Sequence, residues 1–145
     1  MECKKATTRE DIEFCKDAIL EFLRNLNPAT AVDQVFEMIT NEGYELVFIP
    51  NADNTRAGAF IGYRILNLLR TGPSIYIDDL FTFADSRNQG FAGMLLDYVE
   101  SYAAAEGLKS IHLDSGFILH TAHRLYHNKG YNLACHHFSK PLNQV

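Results

Sequence analysis

Apolar residues recur along this chain with a spacing that changes from the helical to the strand period. In residues 12–26 they lie three or four positions apart, which predicts an amphipathic helix. Thr7, followed by Glu10 three residues later, predicts a capping box at the start of this helix. A second set with helical spacing, in residues 32–39, predicts another amphipathic helix that ends near Gly43.

After the second helix the pattern changes to the short apolar and alternating runs that are typical of strands. "YELVFI", "AFIGYRILNLL" and "IYIDDLFTF" predict three strands, separated by the turn sequences "PNADNTRAG" and "RTGPS". A helix whose apolar face runs from Phe91 to Tyr102 follows, then a strand in "SIHLDSG", a short helix in "HTAHRLYHNKG" and a final strand in "YNLACHHFSK". With a short first strand in "CKKAT", the predicted order is β-α-α-β-β-β-α-β-α-β, a mixed α/β (α+β) domain that spans residues 1–145.

Composition narrows the class of protein. The 145 residues carry a net charge of −5, which argues against nucleic acid as a partner because phosphate binding needs a basic surface. No apolar run approaches the roughly 20 residues that a membrane-spanning helix needs, and the N-terminus is too charged for a signal peptide. The three cysteines lack the pairing of a metal site and are expected to be reduced thiols. We therefore expect a soluble, cytoplasmic protein that binds no membrane.

The segment "SRNQGFAG" joins a predicted strand to a predicted helix. A helix N-terminus presents unpaired N–H groups and a positive dipole end, so it can bind an anion, above all a phosphate. Arg87 adds a positive charge, while Gly90, Ala92 and Gly93 leave the backbone accessible. The third glycine of a dinucleotide fingerprint and the Gly-Lys-Ser/Thr of a P-loop are absent. Taken alone, the segment also fits a helix that packs closely on a sheet.

Two motifs and the element order carry a family resemblance. Arg87 to Ala92 fits the pattern Arg/Gln-x-x-Gly-x-Gly/Ala between an apolar strand and a helix, and "HRLYHNKGY" resembles a second motif, A-x-x-x-Tyr-x-x-x-Gly-Phe. On these residues the chain resembles the GCN5-related N-acetyltransferase (GNAT) superfamily over nearly its whole length. Its "LDSG…H…AHRLY" run is similar to a branch that includes aminoalkylphosphonate N-acetyltransferases, and "IDDLF" is similar to polyamine acetyltransferases.

The resemblance implies a fold, a reaction and a cosubstrate. The implied fold has a central, mostly antiparallel sheet with helices on both faces. The implied reaction moves the acetyl group of acetyl-CoA to a primary amine, by direct attack in a ternary complex. Asn88, where many members have glycine, and Leu119, where many have asparagine, depart from the family pattern. The residues implied to bind coenzyme A are Leu80, Phe81 and Thr82 for the thioester and pantetheine arm, and Arg87, Asn88, Gln89, Gly90, Phe91, Ala92 and Gly93 for the pyrophosphate.

Candidates for proton transfer come from the same resemblance and from the chemistry of the side chains. Tyr126 stands where the family has its general acid, although it could also be a core tyrosine of an amphipathic helix. Asp78 and Asp79 lie in an apolar strand, where charge is unfavourable without a role or a partner, and they should face opposite sides unless a bulge intervenes. The polyamine-enzyme likeness favours Asp78 as the base. Asp114 ends the next strand, at the carboxyl edge of the sheet, and is a further catalytic candidate.

Histidines supply the remaining candidates. His120, His123 and His127 recur at helical spacing, which could bind a metal, but such histidines more often lie on the surface and we predict no metal. His120 and His123 fall within the run that resembles the phosphonate branch, so either could orient the acceptor or act as the base.

The function predicted from the sequence is therefore an acyltransferase that acetylates a small-molecule amine. Two alternatives stay open. One is acetylation of a protein, at an N-terminus or a lysine, which needs an open groove. The other is a sensor that binds acyl-CoA without turnover, which the presence of Tyr126 and the acids disfavours. The family often dimerises, so a homodimer is also expected.

Overall fold

The computed structural model describes residues 2–142. The chain divides into two compact units, the first ending at Leu113 and the second beginning at Asp114, and each is described by itself. In residues 2–142 no helix is both long enough and apolar enough to span a bilayer. The architecture is a mixed α/β fold, as the element pattern predicts.

The first unit is built on a five-stranded sheet in the order β1-β2-β3-β4-β5. Strands β1 to β4 pair antiparallel with their neighbours, and β5 pairs parallel with β4. The mostly antiparallel sheet that the family resemblance implies is therefore confirmed. The strands are β1 (Lys4–Lys5), β2 (Glu45–Pro50), β3 (Ala57–Leu68), β4 (Gly72–Thr82) and β5 (Ile111–Leu113).

Helices cover both faces of this sheet. On one face lie α1 (Arg9–Phe22) and α2 (Ala31–Asn41), and the Phe22 ring of α1 is 6.0 Å from the Phe60 ring of β3. On the other face lies α3 (Phe91–Ala105), whose Tyr102 ring is 5.8 Å from the Tyr63 ring of β3. Because neighbouring residues of a strand point to opposite faces, β3 contributes buried side chains to both layers.

The capping box of α1 lies one residue later than the sequence pattern predicts. Thr8, rather than Thr7, is the N-cap residue, and its Oγ1 accepts from the Asp11 N–H at 3.1 Å. The Asp11 carboxylate accepts in return from the Thr8 N–H at 3.0 Å and from the Thr7 N–H at 2.8 Å. These backbone donors, Thr7 first, lower the pKa of Asp11. A carboxylate three residues after the cap serves as well as Glu10 would.

The second unit contains α4 (His120–Asn128), but the predicted final strand is wrong. Residues 131–142 form no strand within the part of the second unit that the structure describes. Nearly all of their side chains are exposed, including Phe138 at 91%. A strand is fixed by a paired edge and a buried face, and this segment has neither, although its residues favour extended backbone.

Candidate active site

An extra residue in β4 brings two acids to one face of the sheet. In the β3–β4 ladder, Gly62 pairs with Asp79 and Tyr63 pairs with Ile77, so Asp78 has no opposite residue and forms a β-bulge. In a regular strand Asp78 and Asp79 would point to opposite faces. The bulge removes that alternation, and both acids line the same cavity.

This cavity of about 170 Å³ lies between the sheet and the helices α1 and α2. Its polar groups belong to Tyr44, Gln34 and the two aspartates. The remaining lining is apolar and comes from α1, α2, the segment between them and β3: Ile19, Leu23, Leu26, Ala31, Val35, Met38 and Phe60. The site is therefore a mainly apolar pocket with carboxylates on one wall, the kind of lining that small-molecule sites have.

Asp79 is a partly buried acid of this cavity. The Tyr44 hydroxyl donates a hydrogen bond of 2.7 Å to its Oδ2. Burial raises the pKa of Asp79 above its ordinary value, although the bond from Tyr44 opposes that shift. Burial also raises the pKa of Tyr44 well above 10, so the phenol keeps its proton and remains the donor. Asp79 consequently holds a proton more readily than an exposed aspartate does.

Gly62 leaves space for the hydrogen-bonded pair of Tyr44 and Asp79. A Cβ added at Gly62 would overlap the Tyr44 hydroxyl oxygen. The phenol thus lies directly over the β3 backbone opposite Asp79. A larger residue at position 62 would displace Tyr44 and remove the hydrogen-bond donor from the carboxylate.

Asp78 is held by a cation instead. Arg64 Nε donates to both carboxylate oxygens at 3.1 Å, and its Nη2 donates to Oδ2 at 2.7 Å. The bond to Asp78 raises the pKa of Arg64, which stays charged. Both oxygens of the Asp78 carboxylate are thus already occupied by the Arg64 guanidinium. The geometry therefore favours Asp79 over Asp78 as the base.

Beyond the bulge, the edge of β4 that faces away from β3 has no neighbouring strand among residues 2–142. Strand β5 pairs with β4 only opposite Ile75, Tyr76 and Ile77. Leu80, Phe81 and Thr82 pair with β3, and within residues 2–142 no strand pairs with their other edge. Such an edge presents backbone N–H and C=O groups to an incoming partner. These are the three residues that the family resemblance implies for the thioester and the pantetheine arm.

The loop after β4 leads into α3, whose N-terminus has no side-chain cap. Asn88 and Gly90 both have positive φ, +62° and +77°, and α3 begins directly after Gly90 with no side-chain cap. Asparagine adopts this left-handed backbone more readily than most residues, which explains how Asn88 replaces a glycine. Arg87 Nε donates to the Thr82 carbonyl at 3.3 Å and so connects the loop to the strand end. The first N–H groups of α3 thus have no side-chain partner and suit an anion.

In the second unit, Tyr126 lies on α4 and is half-buried. Its ring centroid is 5.9 Å from that of Tyr131 in a T-shaped arrangement. Burial raises the pKa of Tyr126 above 10, so its phenol is protonated at neutral pH. A proton donor requires that state.

The other candidates of the second unit form separate pairs. The rings of His120 and His123 are 6.2 Å apart. Asp114 Oδ2 is 3.1 Å from Nδ1 of His137, and Nδ1 of His127 lies 3.1 Å from the Tyr131 carbonyl. In residues 2–142 no three histidine, cysteine, aspartate or glutamate side chains are grouped as metal ligands.

Sequence reasoning missed Tyr44, Gly62 and Arg64. Tyr44 and Asp79 are 35 positions apart, so only the register of the sheet brings them together. Two adjacent acids in an otherwise apolar strand were the available signal, because a bulge is one way to give both acids a polar environment.

Comparison with known proteins shows which family model the chain matches and which solved structures have the same fold. A family model described as the acetyltransferase (GNAT) family matches residues 12–131. The "Uncharacterized N-acetyltransferase YhdJ" of Bacillus subtilis (strain 168) is 29% identical over 140 residues, which cover 96% of this chain and 97% of that protein. The crystal structure of a probable acetyltransferase superimposes with a TM-score of 0.82 at 13% identity over 100% of both chains. AAC(6')-Iy, in complex with the bisubstrate analogue CoA-S-monomethyl-acetylneamine, gives 0.80 at 11% identity over 99% of this chain and 100% of that one. The probable acetyltransferase and AAC(6')-Iy thus have the same fold as this chain.

Proposed function

Because this chain belongs to the acetyltransferase (GNAT) family, we propose that it moves the acetyl group of acetyl-CoA to the primary amine of a small molecule. Both substrates would be bound together, and the amine would attack directly. The observation that carries the proposal is the partly buried carboxylate of Asp79 in a cavity of about 170 Å³. It lies on the strand whose next residues present an edge that no strand of residues 2–142 pairs with. A cavity of this size suits a small amine better than a peptide.

The residues present fit acetyl-CoA, which supplies the acetyl group as a reactive thioester. The uncapped N-terminus of α3 offers unpaired N–H groups for a pyrophosphate, with Gln89 to Gly93 as the backbone and Arg87 and Asn88 beside it. Leu80, Phe81 and Thr82 would hold the pantetheine arm as an added strand. AAC(6')-Iy, which shares the fold, binds a bisubstrate analogue of coenzyme A, and this supports acetyl-CoA as the cosubstrate.

Asp79 is our candidate for the general base. An alkylammonium with a pKa of about 10 must lose a proton before its nitrogen can attack. An ordinary carboxylate, with a pKa of about 4, is poorly matched to that task, and burial reduces the mismatch at Asp79. Tyr44 holds the carboxylate in place, so the proton can pass to Asp79 directly or through water in the cavity.

The remaining steps need a stabilised oxygen and a proton for the thiolate. Backbone N–H groups near Leu80, on the free edge of β4, would stabilise the negative charge that develops on the carbonyl oxygen. Tyr126 would give its proton to the leaving sulfur. Asp114 already pairs with His137, and we assign no step of the reaction to it or to His120 and His123.

An amine panel tests the proposed function. Thiol release from acetyl-CoA is measured with an aminoalkylphosphonate, as the branch resemblance suggests, and with a polyamine, an amino acid, an alkylamine and short peptides. We expect one small amine to rise well above the hydrolysis background and to yield its N-acetyl product by mass spectrometry. Turnover of peptides alone would favour a protein acetyltransferase. Binding of acetyl-CoA without any turnover would contradict the proposal.

Gly90→Ala is expected to weaken acetyl-CoA binding by roughly tenfold with little change in kcat. The φ of +77° is unfavourable for alanine by about 1–2 kcal/mol, so the loop should relax away from its binding conformation. Gly107→Ala is the matched control, because Gly107, at the other end of α3, has a φ of +69° and an equally open Cβ position. Both variants should lose similar thermal stability, but only Gly90→Ala should raise the KM for acetyl-CoA. Equal KM values in the two variants would contradict a role of the loop in binding.

A further inference from the structure

We infer that the acceptor is a primary monoamine whose body is apolar, an alkylamine or arylalkylamine, and that amines with a second charged group are poor substrates. The inference rests on the proposed function and adds the chemical class of the acceptor. It follows from the lining of the cavity that contains Asp79.

The lining of the cavity carries no cation to receive an anion, because no lysine, arginine or histidine of residues 2–142 lines it. Arg64 is the cation that hydrogen-bonds to one of the two acids of the cavity, and its guanidinium already donates to both oxygens of Asp78. A carboxylate or phosphonate on the acceptor would therefore lose its water beside Asp79 without a counterion, which is strongly unfavourable.

A second cation is no better accommodated. Two carboxylates line the cavity, but Asp78 is neutralised by Arg64, which leaves Asp79 for a single ammonium group. Seven of the eleven lining side chains are apolar, so a second ammonium group inside would face hydrocarbon. An uncompensated ammonium in such surroundings is destabilised in the same way as an anion.

Aromatic rings extend the apolar wall toward the free edge of β4. Phe60 lines the cavity, and its ring lies 6.3 Å from that of Phe81, one of the three residues at that edge. The Phe22 ring lies 6.0 Å from Phe60 and 5.4 Å from Phe81, and Phe22 is 37% exposed. The three rings give an alkyl or aryl body a continuous apolar surface beside the reacting groups.

Amines that share one six-carbon body test the inference. Hexylamine, 6-aminohexanoate and 1,6-diaminohexane differ only at the end remote from the reacting nitrogen. We expect kcat/KM to be at least tenfold higher for hexylamine than for either charged analogue. In the series from propylamine to hexylamine, kcat/KM should rise about fourfold per methylene until the cavity is filled. Charged analogues that equal or exceed hexylamine would overturn the inference and leave the proposed function standing. No turnover of any amine would instead refute the proposed function.

A charge placed in the apolar wall provides the matched variant. Met38 lines the cavity and is partly exposed, so a lysine there can keep its ammonium hydrated. Met38→Lys should raise the ratio of 6-aminohexanoate to hexylamine turnover at least tenfold. Thr40→Lys is the control, because it adds the same charge to an exposed position of α2 that does not line the cavity. A folded Met38→Lys protein with an unchanged ratio would show that the acceptor binds elsewhere.

Discussion

Asp79→Asn is expected to lower kcat/KM for the amine by about 10²–10⁴-fold, the range typical of a lost general base. Asparagine has nearly the same shape, and its side-chain oxygen can still accept the hydrogen bond from Tyr44. The cavity should therefore persist while its proton acceptor is lost. Steady-state kinetics and the affinity for acetyl-CoA, measured together, separate the loss of chemistry from a loss of binding.

The pH dependence gives this variant a second signature. In the native protein the rate should fall as the pH drops through the pKa of Asp79, which lies above the ordinary value of about 4. Asp79→Asn should lack this acid limb. A carboxyl whose pKa is raised on folding stabilises the fold below its unfolded pKa and loses that contribution as the pH rises through the folded pKa. The asparagine variant should therefore be at least as thermally stable as the native protein at pH 7.

Asp78→Asn is the control for this prediction. It changes the neighbouring acid in the same cavity, and it removes a charge that Arg64 already neutralises. We expect it to retain most of the activity with some loss of thermal stability, because Arg64 would lack its partner. A collapse of activity in Asp78→Asn together with an active Asp79→Asn would assign the base to Asp78, as the polyamine-enzyme likeness suggests.

Tyr126→Phe is expected to lower kcat about 10²-fold while the affinity for acetyl-CoA is unchanged. The substitution removes one hydroxyl and keeps the ring that packs 5.9 Å from Tyr131. Because burial raises the pKa of Tyr126 above 10, the native rate should not fall through loss of this proton at any pH below 10. Single-turnover thiol release and equilibrium binding measure the two quantities separately.

Tyr131→Phe provides the comparison, since it removes the hydroxyl of the other ring in the same pair. A purely structural effect of losing a hydroxyl should appear in both variants as a similar loss of thermal stability. A large fall in kcat only in Tyr126→Phe supports a proton donor. Equal and normal kcat values in both would remove Tyr126 from the mechanism.

The features that the sequence predicts well are local ones. Helix α3 follows from its apolar spacing, and the residues that flank it, Gly90 and Gly107, both have the positive φ that glycine adopts readily. The predicted N-cap of α1 is wrong by one residue. Thr7 and Thr8 are each followed by an acid three residues later, and only the hydrogen bond from the Asp11 N–H to the Thr8 side chain distinguishes them. Local periodicity thus locates α2, α3 and α4 to within a residue or two, but it wrongly extends α1 to Leu26, whereas that helix ends at Phe22.

What the sequence could not predict depends on contacts between distant segments. The bulge at Asp78 is a property of the register between β3 and β4, and Tyr44 reaches Asp79 only because Gly62 lies between them. The final strand was predicted from residue preferences alone, but a strand also requires a paired edge. A homodimer and a cytoplasmic location stay predictions.

The bulge in β4 also has a consequence for the length of that strand. Tyr63, the partner of Ile77, contacts α3 on one face of the sheet, whereas Asp79 lies on the face covered by α1 and α2. The single added residue, Asp78, interrupts the alternation of side chains between these two faces. Removing Asp78 would restore a continuous alternation and leave every other side chain on its present face. Pairing with β5 stops at Ile77, directly before the added residue. One residue of extra length therefore brings the second acid into the cavity, directly after the point where β4 stops pairing with β5.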